Sequence, residues 1–147
     1  MQYDILIRPA IQQDAQHINV LTEELGYKNS LSETIVYLDI IQKDVDHAVF
    51  VAVIGGKLIG WIEVACVTRL ESGSFCEIVG LIVNEKYRGV GAGKLLVNSA
   101  IKWSREKNSK KIRVRCNVNR HASHLFYENI GFSIIKEQKV FELKTLG

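Results

Sequence analysis

The chain has 147 residues, 47% of them apolar and 24% charged, with a formal net charge of +3. That make-up suits one ordinary globular domain, long enough to bury a core without disulfide or metal staples, and excludes a disordered chain. No apolar run approaches the ~20 residues that span a bilayer, so no membrane partner is expected, and so small a charge gives no ground for a nucleic-acid partner.

Ile5-Leu6-Ile7 predicts a short first strand, stopped near Pro9. The stretch from Met1 to Pro9 carries Asp4 and Arg8 and lacks a continuous apolar run. It does not read as a signal peptide, and a cytoplasmic location is the expectation. Asp14 is placed as the N-cap of a helix bearing Ile18, Leu21 and Leu25 at spacings of three and four, ended by Gly26. Ser32 is placed as the cap of a second helix with Ile35, Leu38 and Ile41 on one face. Glu33 falls in its first turn, where the helix dipole favours a negative charge.

The period then shortens. Ala48 to Ile54 and Leu58 to Val67 are β-type runs around Gly55-Gly56, which predicts a hairpin. Ser72-Gly73 marks the next turn, and Phe75 to Val83 the next strand. A polar loop leads to glycines at 89, 91 and 93, then to a helix with Leu95, Leu96, Ala100 and Trp103 on its inner face. Ile112 to Cys116 predicts a strand, so strand, helix and strand form one parallel crossover unit. Ala122, Leu125 and Phe126 mark a short helix that breaks near Asn129 to Gly131, and Ile134-Ile135 with Val140 to Leu143 predict a closing hairpin. The expected class is α/β (α+β): a mixed, mostly antiparallel central sheet of about six to seven strands, with helices on both faces, in one domain spanning 1–147.

The glycine loop sits between a strand and a helix. The first amides of a helix lack internal partners and lie at the positive end of its dipole. Glycines let an anion approach that backbone. Arg88 flanks the entry and Lys94 is the first charged residue inside the helix, an unfavourable pair of cations unless an anion rests among them. Two phosphate-binding patterns fail. A P-loop would need a glycine at 88 and a hydroxyl at 95, where Arg88 and Leu95 stand. A dinucleotide fingerprint would need a glycine at 94 or 96, where Lys94 and Leu96 stand.

Cys66, Cys76 and Cys116 form no C-x-x-C pair and read as buried reduced thiols; neither a disulfide framework nor a metal site is indicated. Lys102, Arg105, Lys107, Lys110, Lys111, Arg113 and Arg115 crowd one segment. They read as a solvated helix end or a phosphate-attracting patch; an RNA face is the weakest reading, because few aromatic residues interleave.

Arg88-Gly89-Val90-Gly91-Ala92-Gly93 resembles the [Gln/Arg]-x-x-Gly-x-[Gly/Ala] signature of GNAT-superfamily N-acetyltransferases, and Phe126-Tyr127-Glu128-Asn129-Ile130-Gly131-Phe132 resembles that family's Phe-Tyr-x-x-x-Gly-Phe block. The likeness is densest from Cys76 to Phe132. It implies acetyl-CoA as cosubstrate and no metal. It implies that amides from Arg88 through Gly89, Val90, Gly91, Ala92 and Gly93 to Lys94 hold the pyrophosphate. Pantetheine would run along Leu81, Ile82 and Val83, where the fourth and fifth strands splay apart. Gly80 reads as a bulge or close-approach position. Asn117 or Asn119 would contact the cofactor arm.

Direct transfer to a primary amine requires an amine that has lost its proton, donors for the tetrahedral oxyanion, and an acid for the departing thiolate. Tyr127 matches the family's acid, and a phenol with a pKa of ~10 can protonate a thiolate whose conjugate acid sits near ~8.5. Glu77, a carboxylate in an apolar strand, is the candidate base, with Glu63 or water as alternatives. His121 and His124 read as surface or capping residues. The acceptor is expected to be a small-molecule amine. An acidic excess at Glu23, Glu24, Glu33, Asp39, Asp44 and Asp46 would suit a cation, and solvated helix faces explain it equally well. Edge strands at the closing hairpin would allow a homodimer. The alternative function is a non-catalytic acyl-CoA-binding sensor.

Overall fold

The structure is a computed structural model that describes residues 3–24 and 26–147. The chain forms two compact units, one ending at Arg115 and the other spanning Cys116–Gly147.

The first unit is built on a sheet. Its elements are β1 (Ile5–Pro9), α1 (Ala15–Glu24), α2 (Leu31–Gln42), β2 (His47–Ile54), β3 (Lys57–Arg69), β4 (Gly73–Val83), α3 (Ala92–Glu106) and β5 (Ile112–Val114). The strands lie in the order β1-β2-β3-β4-β5. Neighbours are antiparallel up to β4, and the α3 crossover brings β5 parallel to β4. Gly55 and Gly56 both take positive φ, 55° and 81°, the geometry a two-residue hairpin turn requires.

Side-chain alternation along β3 assigns the two faces. A Cβ on Gly60 would meet Leu96 of α3 at 3.3 Å, so this position faces α3. The next residue, Trp61, is clustered with Ile18 and Leu21 of α1 and Leu38 of α2. Helices therefore cover both faces, as expected. On α3 the buried residues are Ala92, Leu96, Val97, Ala100 and Ser104. Leu95, expected inside, is exposed, because Val97 completes the inward stripe with Leu96 and Ala100.

Three helix details differ from expectation. Ser30, not Ser32, caps α2: its hydroxyl accepts from the Glu33 amide at 3.1 Å and the Glu33 carboxylate accepts from the Ser30 amide at 2.8 Å. Ile35 is exposed, and Thr34 with Leu38 makes the buried stripe of α2. Asp14 does not cap α1 directly; it lies in the single turn Gln12–Asp14 before it, accepting from the Ile11 amide at 2.8 Å and pairing with Arg8 at 2.7 Å. Leu25 lies outside the described residues.

The second unit holds α4 (His121–Asn129). Its helix ends on Gly131, whose φ of 105° closes the turn while the Phe132 amide donates to the Tyr127 carbonyl at 3.0 Å. The expected closing hairpin is absent: Ile134-Ile135 and Val140–Leu143 form no strand among the described residues, so the sheet has five strands rather than six or seven. Ile134, Ile135, Val140 and Phe141 are largely exposed. Two short apolar runs hold a hairpin only when one face packs on something else. The strand edge on which a homodimer was expected is therefore not formed there.

Candidate functional site

β4 is paired along its whole length on one side only. Against β3 its ladder runs from Gly73 to Val83; against β5 it covers only Cys76, Glu77 and Ile78. From Val79 to Val83 the other edge of β4 meets no strand among the described residues. Leu81, Ile82 and Val83 sit there. β5 ends at Val114 rather than at the expected Cys116, so the ladder between the fourth and fifth strands stops at Ile78.

A register shift marks the same place. Glu63 pairs with Gly80 and Val64 with Ile78, leaving Val79 as the extra residue of a bulge in β4. Gly80 is fixed by contact, since a Cβ there would stand 3.0 Å from two atoms of the Trp61 ring. Glycine at 80 serves close packing as well as the bulge.

Beyond Val83 the chain turns through Glu85–Tyr87, where the Asn84 side chain accepts from the Lys86 amide at 3.0 Å. Arg88 reaches back to the Val83 carbonyl at 3.4 Å. Gly89 and Gly91 follow at φ of 81° and 93°, a region costly to any residue with a Cβ. Gly91 is the N-cap of α3, and no side chain caps it. The first turn holds no acid, and Lys94 is exposed within it. Ala92 is buried, while Gly93 and Val90 are partly exposed. Strand edge, bulge and uncapped helix start follow one another in a single stretch of backbone.

The two candidate carboxylates have different partners. Glu77 is buried and ion-paired with Arg115. Glu63 is bonded to His47 Nε2 at 2.6 Å, with both side chains about a fifth exposed. Sequence reasoning missed His47, whose relation to Glu63 depends on the β2–β3 register; His47 pairs with Ala65, two positions along the same face. Through Ala65 the row continues to Glu77. His47, Glu63 and Glu77 therefore share the face of the sheet on which Trp61 lies.

Tyr127, Asn117 and Asn119 belong to the second unit. The Tyr127 ring meets Phe126 and Phe132 edge-on at centroid distances of 5.1 and 5.6 Å. Burial, helped by Cys116 and opposed by Arg120, pushes its phenol up to about 12. It stays protonated through the neutral range, where it holds a proton to give. The expected stripe beside it is weak, since Ala122 and Leu125 are exposed. Asn117 is committed to the turn: its side chain accepts from the Asn119 amide at 2.9 Å and its carbonyl takes bonds from Arg120 and His124. Asn119 is exposed. His121 and His124 stack edge-on at 5.7 Å, in keeping with surface roles.

Several charges singled out in the sequence do structural work. Lys107 lies over Trp103 and 4.0 Å from Asp46, Arg113 stacks on Phe75, and Lys111 donates to the Ser72 carbonyl. These three of the seven basic residues are thus engaged within the chain. Of the acidic excess, Glu33 completes a cap, Asp39 pairs with Lys43 and Asp44 accepts from the Asp46 amide. Glu23 and Glu24 remain exposed on α1. Among the described residues no group of three metal-ligating side chains forms, and no helix is long and apolar enough to cross a membrane.

Comparisons with known proteins agree with this architecture. An uncharacterized N-acetyltransferase of Methanocaldococcus jannaschii is 26% identical over 98 residues, 65% of this chain and 43% of that protein. The match thus spans less than half of that curated relative's length. Among solved structures, a transcriptional regulator from Bacillus halodurans superimposes with a TM-score of 0.86 at 22% identity, covering 95% of this chain and 100% of that one. An aminoglycoside N-acetyltransferase, AAC(6')-Iy in complex with CoA, gives 0.85 at 19% identity, covering 99% and 98%. Glucosamine-6-phosphate N-acetyltransferase from Arabidopsis thaliana gives 0.83 at 21% identity, covering 96% and 99%. At such identities these structures speak for the fold alone. Residues 14–132, well over half of the chain, match the Acetyltransferase (GNAT) family, and the protein belongs to that family.

Proposed function

We propose that residues 1–147 act as a single acetyltransferase domain that moves an acetyl group from acetyl-CoA to a primary amine by direct attack in a ternary complex. The observation that carries this reading is the open β4 edge at Val79–Val83 running into a helix start that no side chain caps. Extended pantetheine can add along the side of β4 at Leu81 to Val83 that carries no strand, as a further strand would. The pyrophosphate then meets the amides from Arg88 to Lys94 at the positive end of α3. The CoA bound to AAC(6')-Iy, a protein of the same fold, supports this cosubstrate. No metal takes part in the proposed step.

Tyr127 is the acid in this reading. A neutral phenol gives its proton to the CoA thiolate as the tetrahedral intermediate collapses, and the raised pKa keeps that proton in place at physiological pH. For the base, the geometry favours Glu63 with His47 over Glu77. Glu77 is tied to a guanidinium, whereas Glu63 holds an imidazole that can relay a proton, and Glu63 stands opposite the bulge at Gly80. Asn119 is the candidate for the cofactor arm, since the Asn117 side chain is engaged in its own turn. A small-molecule acceptor is in keeping with the aminoglycoside and glucosamine-6-phosphate enzymes that share the fold. A cytoplasmic site of action fits this cosubstrate.

The test is release of CoA from acetyl-CoA, with and without a panel of amines, run beside Tyr127→Phe. We expect release with one amine class, and a fall in kcat of roughly a hundredfold or more in the variant, the scale of a lost general acid. Acetyl-CoA binding with no release for any amine would favour an acyl-CoA-binding sensor instead.

A further inference from the structure

Three cysteines stand in this chain as free thiols, and two of them face each other. Cys66 on β3 and Cys76 on β4 are direct register partners, with their sulfurs 3.1 Å apart. The backbone defines the kind of pair. The Cys66 amide donates away from β4, to the Asp46 carbonyl at 2.8 Å, and the Cys76 amide donates away from β3, to the Lys111 carbonyl at 3.0 Å. Neither residue bonds the other through its backbone, so this is a non-hydrogen-bonded antiparallel pair. In such pairs the Cα atoms lie ~4.5 Å apart. That falls within the ~4.4–6.8 Å that a disulfide spans. The bond can therefore close by side-chain rotation with the ladder left in place.

We propose that Cys66 and Cys76 are a reversible redox-modification site, joined as a cross-strand disulfide by a peroxide-class oxidant. Cys76 is fully buried and Cys66 only partly so, which makes Cys66 the sulfur that meets the oxidant. Its sulfur attacks one peroxide oxygen, the O–O bond breaks, and a sulfenic acid and one water result. The Cys76 sulfur then attacks the Cys66 sulfur, and the hydroxyl leaves with the Cys76 proton as a second water. Two thiols have lost two protons and two electrons, and the peroxide has been reduced to water. Burial, then the neighbouring Cys76, push the Cys66 thiol up to about 12, so little thiolate is present at neutral pH and the first oxidation is slow. The bond would tie β3 to β4 three residues from Glu63 and from the bulge residue Val79, and next to Glu77.

The experiment treats the full chain with excess hydrogen peroxide, unfolds it, alkylates it with N-ethylmaleimide and maps the peptides by mass spectrometry. We expect the Cys66 and Cys76 peptides as one linked species lighter by two hydrogens, separated again by dithiothreitol, with the link kept in Cys116→Ser. In Cys76→Ser, dimedone should trap a sulfenic acid at Cys66 and no link should form. Full alkylation of both residues at an excess that oxidises a free thiol control would overturn the proposal. So would a link through Cys116, or sulfinic acid at Cys66 without any link.

Discussion

Two helices of the first unit begin in opposite ways. α2 starts on Ser30 and Glu33, whose side chains and amides satisfy one another in a closed reciprocal box. α3 starts on Gly91 at φ of 93° with no capping side chain, no acid in its first turn, and a lysine instead. The first arrangement uses the free amides of a helix for stability. The second leaves them without a side-chain partner and, with glycine at the N-cap, forgoes roughly a few tenths of a kcal/mol that a good cap contributes. The Arg8–Asp14 pair before α1 belongs with α2, because its charges close on each other.

Substitution at the bare start separates the two designs most strongly. Gly91→Val places a branched side chain where the backbone is left-handed and where the phosphate would approach. We expect acetyl-CoA affinity, read by calorimetry, to fall by roughly a hundredfold, about 2.7 kcal/mol by the usual conversion. Lys94→Ala in the same turn should weaken binding less, by roughly tenfold, and flatten its dependence on salt. Unchanged affinity in both variants would place the pyrophosphate elsewhere and dissolve the contrast.

At α1 the effect should fall on stability instead. Burial works against the Asp14 carboxylate, and the bonds from the Arg8 guanidinium and the Ile11 amide outweigh it, so its pKa lies below the ordinary aspartate value. A carboxylate whose folded pKa is depressed adds stability above its unfolded pKa and loses it as pH falls through the folded one. Asp14→Ala should therefore cost about 1–3 kcal/mol at neutral pH, measured by urea unfolding, and that difference should shrink in acid. Acetyl-CoA affinity should not change.

These contrasts rest on signals of unequal range. The glycine loop was legible because turn chemistry is local, and the strands because alternation needs only a few neighbours. The Ser30 cap was also legible, through the Ser-x-x-Glu spacing to Glu33, and was misplaced because Ser32 stands closer to the apolar run. The Cys66–Cys76 pair could have been found by counting outward from the turn at Glu71, from which both are equally distant. The link from His47 to Glu63 could not, since it needs the register of a hairpin whose ladder shifts at Ala52 and Val53. Nor could the missing closing hairpin, because two short apolar runs carry the same pattern whether or not a packing face exists for them.

The smallest expected effect tests the closed box. The Ser30 amide, and then its hydroxyl, hold the Glu33 carboxyl below the ordinary glutamate value. The sign is the same as for Asp14: the contribution is present above the unfolded pKa of glutamate and disappears as pH falls through the lowered one. Ser30→Ala should lower stability by about 1 kcal/mol at neutral pH. Glu33→Gln keeps an acceptor for the Ser30 amide but removes the titrating charge. The pH profile of its unfolding midpoint should therefore be flatter than that of the parent below the glutamate range, with a small loss of stability at neutral pH that vanishes in acid. A parallel profile would mean that the box stabilises α2 through Ser30 alone, leaving the charge of Glu33 with no part in the contrast between the two helix starts.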